Sequence, residues 1–223
     1  MTGEIDQEEK LKEIQRRIRA GGKVLVGIGA EWRQNRNEAD ETEVVPRPEI
    51  EKAYGLLYEL IKETDYFLVT TVTHGMVWKG PFDPKRIVAP CGNIGWQQCS
   101  QACTKDIWEA GEVESGRCPH CGSPLVSNTI RCGCYIEEGY LPQWQEYTKW
   151  LSRTLNQPLT VIELGEGFAA PTVIRWPFEK TVFLNQKAYM YRIHGRFSQI
   201  SGELTGKAEG IPVDSVKFML QNL

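Results

Sequence analysis

Four cysteines near the middle of the chain form two close pairs. Cys99 and Cys103 make the first pair, and Cys118 and Cys121 follow after fourteen intervening residues. Zn²⁺ takes four thiolates in a tetrahedral arrangement, and two short knuckles joined by a loop can deliver them without straining the backbone. The spacing therefore predicts a structural zinc site, the alternative being two buried or disulfide-bonded pairs.

Three further cysteines, Cys91, Cys132 and Cys134, lie outside this set. A single glycine separates Cys132 from Cys134, which is too short a spacing for an easy disulfide. These two residues are either a spare pair of metal ligands or ordinary buried thiols. Thiols of a cytosolic protein stay reduced, so seven cysteines without an evident export signal favour a cytoplasmic protein that binds metal.

Composition excludes two classes of partner. The formal net charge is -3 and no long basic run occurs, so we expect no nucleic-acid partner. No stretch approaches the roughly 18 continuous apolar residues of a membrane span, so we expect no membrane partner. With 223 residues, 41% of them hydrophobic and 25% charged, the chain has the composition of a folded globular protein.

The elements that must position these cysteines alternate between helices and strands. Such alternation predicts an α/β fold, a Rossmann-like doubly wound parallel sheet with an inserted small zinc-binding module. We expect the sheet domain at 1–90 and 136–223 and the module at 91–135. The pattern predicts helices that end near Gly21, begin at Pro48, begin at Pro142 and run through 212–220, strands at 23–26, 66–72, 159–164, 181–185 and 188–193, and a polar surface loop from Arg33 to Arg47.

Three of the predicted strands end in polar or glycine-rich turns, near residues 29, 70 and 165. The carboxyl ends of parallel strands share one edge of a sheet, so these turns should meet at a single crevice. Glycine permits close approach of the backbone to a bound group, which makes the first and third turns candidate ligand-facing turns.

The order of these motifs resembles that of the sirtuin family over residues 20 to 220. Four of the family's motifs have counterparts here in Val26 to Ala30 (strand and Gly-Ala-Gly), Val69 to His74 (Thr-Gln-Asn-Ile-Asp), Cys91 to Asn93 (His-Gly-Asn) and Gly165 to Gly167 (Gly-Thr-Ser). A fifth, the exit Ile-Asn, falls on Leu184 and Asn185.

The resemblance implies a crevice for NAD, ADP-ribose or a related nucleotide, a zinc module, and protein deacylation or mono-ADP-ribosyl transfer on an acyl-lysine or other protein substrate. It also implies the nucleotide-binding residues, which are Gly27, Gly29, Ala30, Glu31, Trp32, Arg33, Thr70, Gly165, Glu166, Gly167 and Asn185.

The departures from the family pattern fall on its chemistry. Cys91 occupies the position of the family's general base, and Val72 and His74 occupy those of the asparagine and aspartate that order the ribose and nicotinamide. A thiol is a poor base at neutral pH and valine forms no hydrogen bond, so we expect impaired deacetylation. His74 and Cys91 could instead form an activated thiolate pair for a transferase, the alternative being a loop histidine and a partly buried thiol.

Two acidic residues bear on nucleotide binding. Glu31 stands where the family has a serine near the phosphates, and Glu166 stands at the threonine of the second turn. A carboxylate about 4 Å from a phosphate costs roughly 1 to 4 kcal/mol. Alternatively, both side chains point to solvent or pair with arginines such as Arg33 and Arg175.

A second function class stays open, namely a non-catalytic binding or sensor module that keeps the fold. A crevice filled by Glu31, Trp32 or Glu166 would favour it. Trp32 is either an aromatic lid over a nucleotide or a packing residue. Trp96, Trp108 and Trp144 could form a contact surface, although core packing explains them equally well. We expect His194 to be a surface or structural group and His120 a turn residue of the zinc knuckle.

Overall fold

The computed structural model describes residues 7–33 and 47–221. The predicted polar loop lies outside these ranges except for its two ends, Arg33 and Arg47. The described elements are α1 (Gln7–Arg19), β1 (Lys23–Ile28), α2 (Pro48–Ile61), β2 (Asp65–Thr70), α3 (Met76–Lys79), β3 (Ile87–Val88), β4 (Gly92–Cys99), β5 (Trp108–Glu109), β6 (Leu125–Thr129), α4 (Leu141–Ser152), β7 (Leu159–Leu164), α5 (Arg175–Leu184), β8 (Ala188–Ile193), β9 (Ala208–Ile211) and α6 (Ser215–Leu220).

Six strands form one parallel sheet in the order β3-β2-β1-β7-β8-β9. The order runs one way from β1 to β3 and the other way from β7 to β9, so the direction of winding reverses between β1 and β7. This is the doubly wound topology that the alternating pattern predicts, and the prediction is confirmed. In open sheets of this kind, ligands bind outside the carboxyl ends of the strands at that reversal.

The two faces of the sheet bury different helices. Alternate residues of β1 point to opposite faces. Val24, Val26 and Ile28 pack with α1, α2 and α6, whereas Leu25 packs with α4 and α5. Among the described helices, none is both long and apolar enough to cross a membrane.

Strand β1 ends at Ile28, two residues later than predicted, so Gly27 lies within the strand and not in the turn. A Cβ atom at Gly27 would stand 2.5 Å from Ile174 Cγ2 and 2.7 Å from Phe178 Cε2. Glycine is therefore required here because α5 packs closely on the sheet. The turn itself begins at Gly29.

The predicted strand from Thr181 to Asn185 is wrong, because these residues form the last turns of α5 and its C-cap. Val182 is buried, while Phe183 and Leu184 are half exposed. A short apolar run rich in β-branched and aromatic residues has the composition of a strand, and periodicity alone cannot distinguish it from a helix.

A separate three-stranded antiparallel sheet, β5-β4-β6, lies in the chain between β3 and α4. It carries Cys99 at the end of β4, and its position in the sequence matches the predicted insertion. The domain boundaries at residues 91 and 135 stay a prediction.

Candidate functional site

The turns after β1, β2 and β7 lie side by side at one edge of the sheet. Ile28 is in register with Thr70 on one side and with Leu164 on the other. The Gly29 N–H donates to the Leu164 carbonyl at 2.8 Å. The three predicted strand exits therefore meet at the reversal point of the sheet.

The first and third turns pack directly on each other. Gly165 has a φ of +67°, and a Cβ atom there would stand 2.5 Å from Glu31 Cβ and 2.7 Å from Ser215 Oγ. A Cβ atom on Gly29 would stand 2.3 Å from Glu166 Cα. Only glycine fits at either position, because any side chain would push the two turns apart.

Glu31 points into this junction and its carboxylate is fully engaged. Oε1 accepts the Gly195 N–H at 2.9 Å, and Oε2 accepts both the N–H and the hydroxyl of Ser215 at 2.7 Å. Its side chain is 15% exposed. The carboxylate therefore takes backbone donors that a ligand anion could otherwise use. The alternative in which Glu31 points to solvent is wrong.

His194 lies beside Glu31 at the end of β8. Its Nδ1 accepts N–H groups of Arg196 at 3.0 Å and Phe197 at 3.2 Å, and lies 3.1 Å from Glu31 Oε1. Burial lowers the pKa of His194, and the Glu31 charge acts against that shift. A neutral ring whose Nδ1 accepts two N–H groups carries its proton on Nε2. The side chain is buried, so the structural alternative for His194 holds.

Glu166 is also buried in the junction, with 2% of its surface exposed. Thr71 Oγ1 donates to its Oε2 at 2.6 Å. Burial raises the pKa of Glu166 to about 7, against the opposing effects of the Thr71 hydrogen bond and the charges of Arg33 and Arg175. Near neutral pH this carboxyl is therefore divided between its neutral and charged forms, and it does not point to solvent.

Arg175 and Arg192 support the floor of the junction. Arg192 forms a bidentate pair with the carboxylate of Glu163 at 2.7 and 2.9 Å, and Glu163 is fully buried. Arg175 Nη1 reaches the same carboxylate at 3.5 Å and donates to the carbonyl oxygens of Glu166 and Phe197. Arg175 therefore contacts Glu166 as predicted, but through the backbone carbonyl of Glu166 and not through its carboxylate.

A cavity of about 730 Å³ opens above this junction. Four of the predicted residues line it, namely Ala30, Glu31, Arg33 and Gly167. Residues that the sequence reasoning missed complete the wall: Phe168, Ala169, His194, Gly195, Arg196, Phe197 and Asp214. The predicted strand at 188–193 could have revealed these residues. It is parallel to the other three strands, so its carboxyl end at His194 and Gly195 lies at the same edge of the sheet.

Two predicted residues are packing residues. Trp32 is fully buried, donates from Nε1 to Ser215 Oγ at 3.0 Å, and meets Tyr54 edge to face at 4.8 Å between ring centroids. Thr70 is equally buried, and its hydroxyl donates to the Ile28 carbonyl at 3.2 Å. Trp32 is therefore no lid over the cavity, and Thr70 shapes the turn after β2.

Asn185 lies at the opposite edge of the sheet. Its Nδ2 donates to the carbonyl oxygens of Thr154 and Gln157, and its own carbonyl accepts the N–H of Ala188, the first residue of β8. Ala188 is in register with Leu159 at the amino end of β7. The wrong strand assignment placed Asn185 at a crevice that it does not reach.

His74 is held by backbone groups on both ring nitrogens. Nε2 donates to the Trp32 carbonyl at 2.8 Å, and Nδ1 accepts the Met76 N–H at 3.1 Å. An imidazole bonded in this way has no lone pair left to take a proton from a thiol. These contacts do not support the pair of His74 with Cys91, which stays a prediction.

The four paired cysteines converge in space. Their Sγ atoms all lie within 4.8 Å of one another, with Cys99 to Cys121 and Cys103 to Cys118 both at 3.5 Å. Zn–S bonds of about 2.3 Å in a tetrahedron separate sulfurs by about 3.8 Å. The donor set therefore fits zinc. His120 bonds instead to Asp106 at 2.7 Å, in agreement with its expected place in the turn.

Comparison with known proteins adds relatives in both sequence and structure. No family model matches the chain. It is 22% identical over 179 residues to a protein ADP-ribosyltransferase of Staphylococcus aureus (strain Mu50 / ATCC 700699), covering 69% of this chain and 57% of the relative. It is 26% identical over 141 residues to a probable bifunctional ADP-ribose hydrolase/ADP-ribosyltransferase of Fusarium oxysporum f. sp. cubense, covering 53% and 24%. The chain thus spans about half and about a quarter of these relatives.

Two solved structures share the architecture over nearly the whole chain. A mutant Sir2 homologue in complex with ADP-ribose superimposes with a TM-score of 0.61 at 15% identity, covering 95% of this chain and 94% of that one. A second Sir2 mutant, with a deacetylated p53 peptide and 3'-O-acetyl ADP-ribose, gives 0.59 at 12% identity, covering 95% and 96%. The chain has the sirtuin fold. The resemblance found in the sequence is confirmed at the level of the fold.

Proposed function

We propose that the cavity binds NAD, ADP-ribose or a related nucleotide, and that this sirtuin-like chain belongs to the deacylase and ADP-ribosyltransferase type with impaired deacetylation. The observation that carries the proposal is the cavity of about 730 Å³ at the reversal point between β1 and β7. Doubly wound sheets bind nucleotides at this place. Both curated relatives are named for ADP-ribosyl transfer.

The wall of the cavity offers suitable contacts. Arg33 and Arg196 line it and supply positive charge for a pyrophosphate. Phe168 and Phe197 meet edge to face at 5.3 Å and offer apolar surface to a ribose or base. When bound, NAD supplies an ADP-ribosyl group whose bond to nicotinamide is the bond broken in transfer. We also propose that the acceptor is an acyl-lysine or another protein substrate, that the four paired cysteines bind zinc, and that the protein is cytoplasmic.

Deacetylation is the part of the family chemistry that this chain supports least. Cys91 is buried at the position of the family's base, and Val72 is buried at that of the orienting amide. A neutral thiol is a weak base near pH 7, and an isopropyl group offers no hydrogen bond. A crevice filled by Glu31, Trp32 or Glu166 would favour the non-catalytic alternative, but the cavity stays open above these side chains.

Calorimetric titration of the zinc-loaded protein with ADP-ribose and with NAD tests binding. We expect Arg196→Ala to weaken ADP-ribose binding by about tenfold or more, because a charge-assisted hydrogen bond is worth about 1.5 to 3 kcal/mol. Arg153→Ala is the matched control, since Arg153 lines a different groove. Absence of both heat and thermal stabilisation at millimolar ligand would contradict the proposal.

The Glu31 carboxylate gives a second test of the same site. Glu31→Ser removes a negative charge from the cavity wall, so we expect tighter ADP-ribose binding by at least about fivefold. The same change removes three hydrogen bonds to Gly195 and Ser215, so thermal stability should fall. Glu203→Ser, on an exposed turn, should change neither quantity. Unchanged affinity in Glu31→Ser would show that the bound phosphates lie away from Glu31.

A further inference from the structure

Two cysteines outside the zinc cluster face each other in the turn after β6. The Sγ atoms of Cys132 and Cys134 lie 3.6 Å apart, and both residues are half buried. Neither belongs to the group of four sulfurs that could hold a metal. A small reagent can therefore reach this pair, whereas Cys91 is buried.

The backbone of the turn permits a bond between the two sulfurs. A disulfide needs Cα atoms about 4.4 to 6.8 Å apart, and residues two apart in a turn are separated by less than the about 6.6 Å of an extended strand. Gly133 is exposed, and a Cβ atom there would meet nothing within 4 Å. Closing the sulfur separation to about 2.05 Å therefore needs only a local adjustment of the turn. The short spacing predicted no easy disulfide, but the turn brings the two cysteines close enough to form one.

The hydrogen bonds of the two sulfurs differ. Gln98 Nε2 lies 3.5 Å from Cys132 Sγ and 3.9 Å from Cys134 Sγ, and Cys134 Sγ in addition donates to the Ser100 carbonyl at 3.0 Å. The Gln98 amide is held in place, because its Oε1 accepts the Ile136 N–H at 2.9 Å. A carbonyl partner holds the thiol proton of Cys134 and makes that sulfur the poorer nucleophile. Cys132 is thus the attacking sulfur and Cys134 the resolving one.

We propose that Cys132 and Cys134 form a redox-active dithiol that closes reversibly to a disulfide with a peroxide as oxidant. The Cys132 sulfur attacks one peroxide oxygen, the O–O bond breaks, and a sulfenic acid forms with release of water. The Cys134 sulfur then attacks the Cys132 sulfur, the S–O bond breaks, and a second water leaves. In total, two thiols and one hydrogen peroxide give one disulfide and two waters.

The turn is joined to the segment that carries Cys91. The Ile130 N–H donates to the Cys91 carbonyl at 3.1 Å, and the Tyr135 hydroxyl donates to the Pro90 carbonyl at 3.0 Å. These two hydrogen bonds link the residues that flank the dithiol to the chain that enters β4. This proposal does not depend on nucleotide binding.

Peptide mass mapping of the zinc-loaded protein tests the dithiol. After treatment with equimolar hydrogen peroxide and alkylation, we expect the loss of two hydrogen atoms in mass, a bond joining Cys132 to Cys134, unchanged zinc content, and reversal by a reducing agent. Cys134→Ser should trap a sulfenic acid on Cys132 that reacts with dimedone, whereas Cys132→Ser should not trap one on Cys134. Cys91→Ser should still form the bond.

Two results would overturn the proposal. One is oxidation that first joins cysteines of the zinc cluster and releases the metal. The other is a protein in which Cys132 and Cys134 alkylate fully after peroxide treatment, which would leave them as ordinary thiols or as ligands of a soft metal.

Discussion

The segment that carries the four paired cysteines and the crevice at the sheet edge are specified by the sequence in different ways. In the segment, four donors of one type lie in two short pairs, and their sulfurs converge within 4.8 Å. In the crevice, side chains from four strand ends meet, and their chemistry depends on direction. Glu31 and Glu166 both turn inward, although a carboxylate at the end of a strand can equally point to solvent. Residue type and spacing thus specify the first site, and packing specifies the second.

Removal of one of the four paired cysteines should have the largest effect on the protein. Cys118→Ser deletes a buried sulfur of the cluster, so we expect loss of the bound zinc and unfolding of the segment around it. Structural zinc contributes about 10 to 16 kcal/mol in isolated zinc-finger peptides, which makes this the largest expected effect. Zinc per chain by elemental analysis and the denaturation midpoint are the two measurements.

Cys132→Ser is the control for that experiment, because Cys132 lies outside the cluster and should leave the zinc content at one per chain. A Cys118→Ser protein that still holds one equivalent of zinc would show that the four sulfurs are not the ligand set.

The floor of the crevice should give the second largest effect. Glu163→Gln removes the bidentate carboxylate partner of the buried Arg192 guanidinium, which keeps its pair with Glu179 at 2.7 Å. Removing one member of a buried pair costs about 3 to 5 kcal/mol. The remaining pair with Glu179 places the expected loss at the lower end of that range. Urea denaturation should show that loss in the free energy of unfolding.

Glu146→Gln is the matched surface change. Glu146 pairs with Lys149 at 2.7 Å, but both side chains are about 60% exposed. Exposed pairs are worth about 1 kcal/mol or less. Equal losses in the two variants would mean that the crevice floor is no more dependent on its ion pair than the surface is.

The sequence predicted most of the sheet because its strands are buried on both faces and appear as continuous apolar runs. β1 and β7, for example, are recognisable from Lys23 to Val26 and from Leu159 to Leu164. Their shared exit edge follows from parallel topology, so the meeting of Gly29 with Gly165 was predictable. The convergence of the four cysteine sulfurs was predictable for the separate reason that one short spacing rule contains all four.

The rest of the site was not predictable from pattern alone. The last turn of α5 has the composition of a strand, and this placed a predicted exit at Asn185, at the wrong edge of the sheet. The strand before His194 was predicted, but its exit was not assigned to the crevice. Arg196 and Phe197 follow that exit. The direction of Glu31 depends on Ser215, which is distant in the chain and reaches the turn only through the packing of α6.

A pH series examines whether Glu166 is as buried as the crevice geometry requires. Burial raises its pKa from an ordinary value near 4.5 to about 7, so the folded chain holds a proton that the unfolded chain releases between these values. The resulting stabilisation is complete below about pH 4.5 and is lost as the pH rises through about 7. It amounts to about 3 kcal/mol across that window.

Glu166→Gln has no proton to lose, so this part of the pH dependence should disappear. We expect the variant to gain stability relative to the natural chain as the pH rises from 5 to 8, measured as the free energy of unfolding at each pH. Glu203→Gln, at an exposed position, should follow the natural chain throughout. Parallel curves for Glu166→Gln and the natural chain would mean that water reaches the Glu166 carboxyl. The crevice would then be as open to solvent at its floor as at its mouth, and its electrostatics would no longer differ from those of the surface.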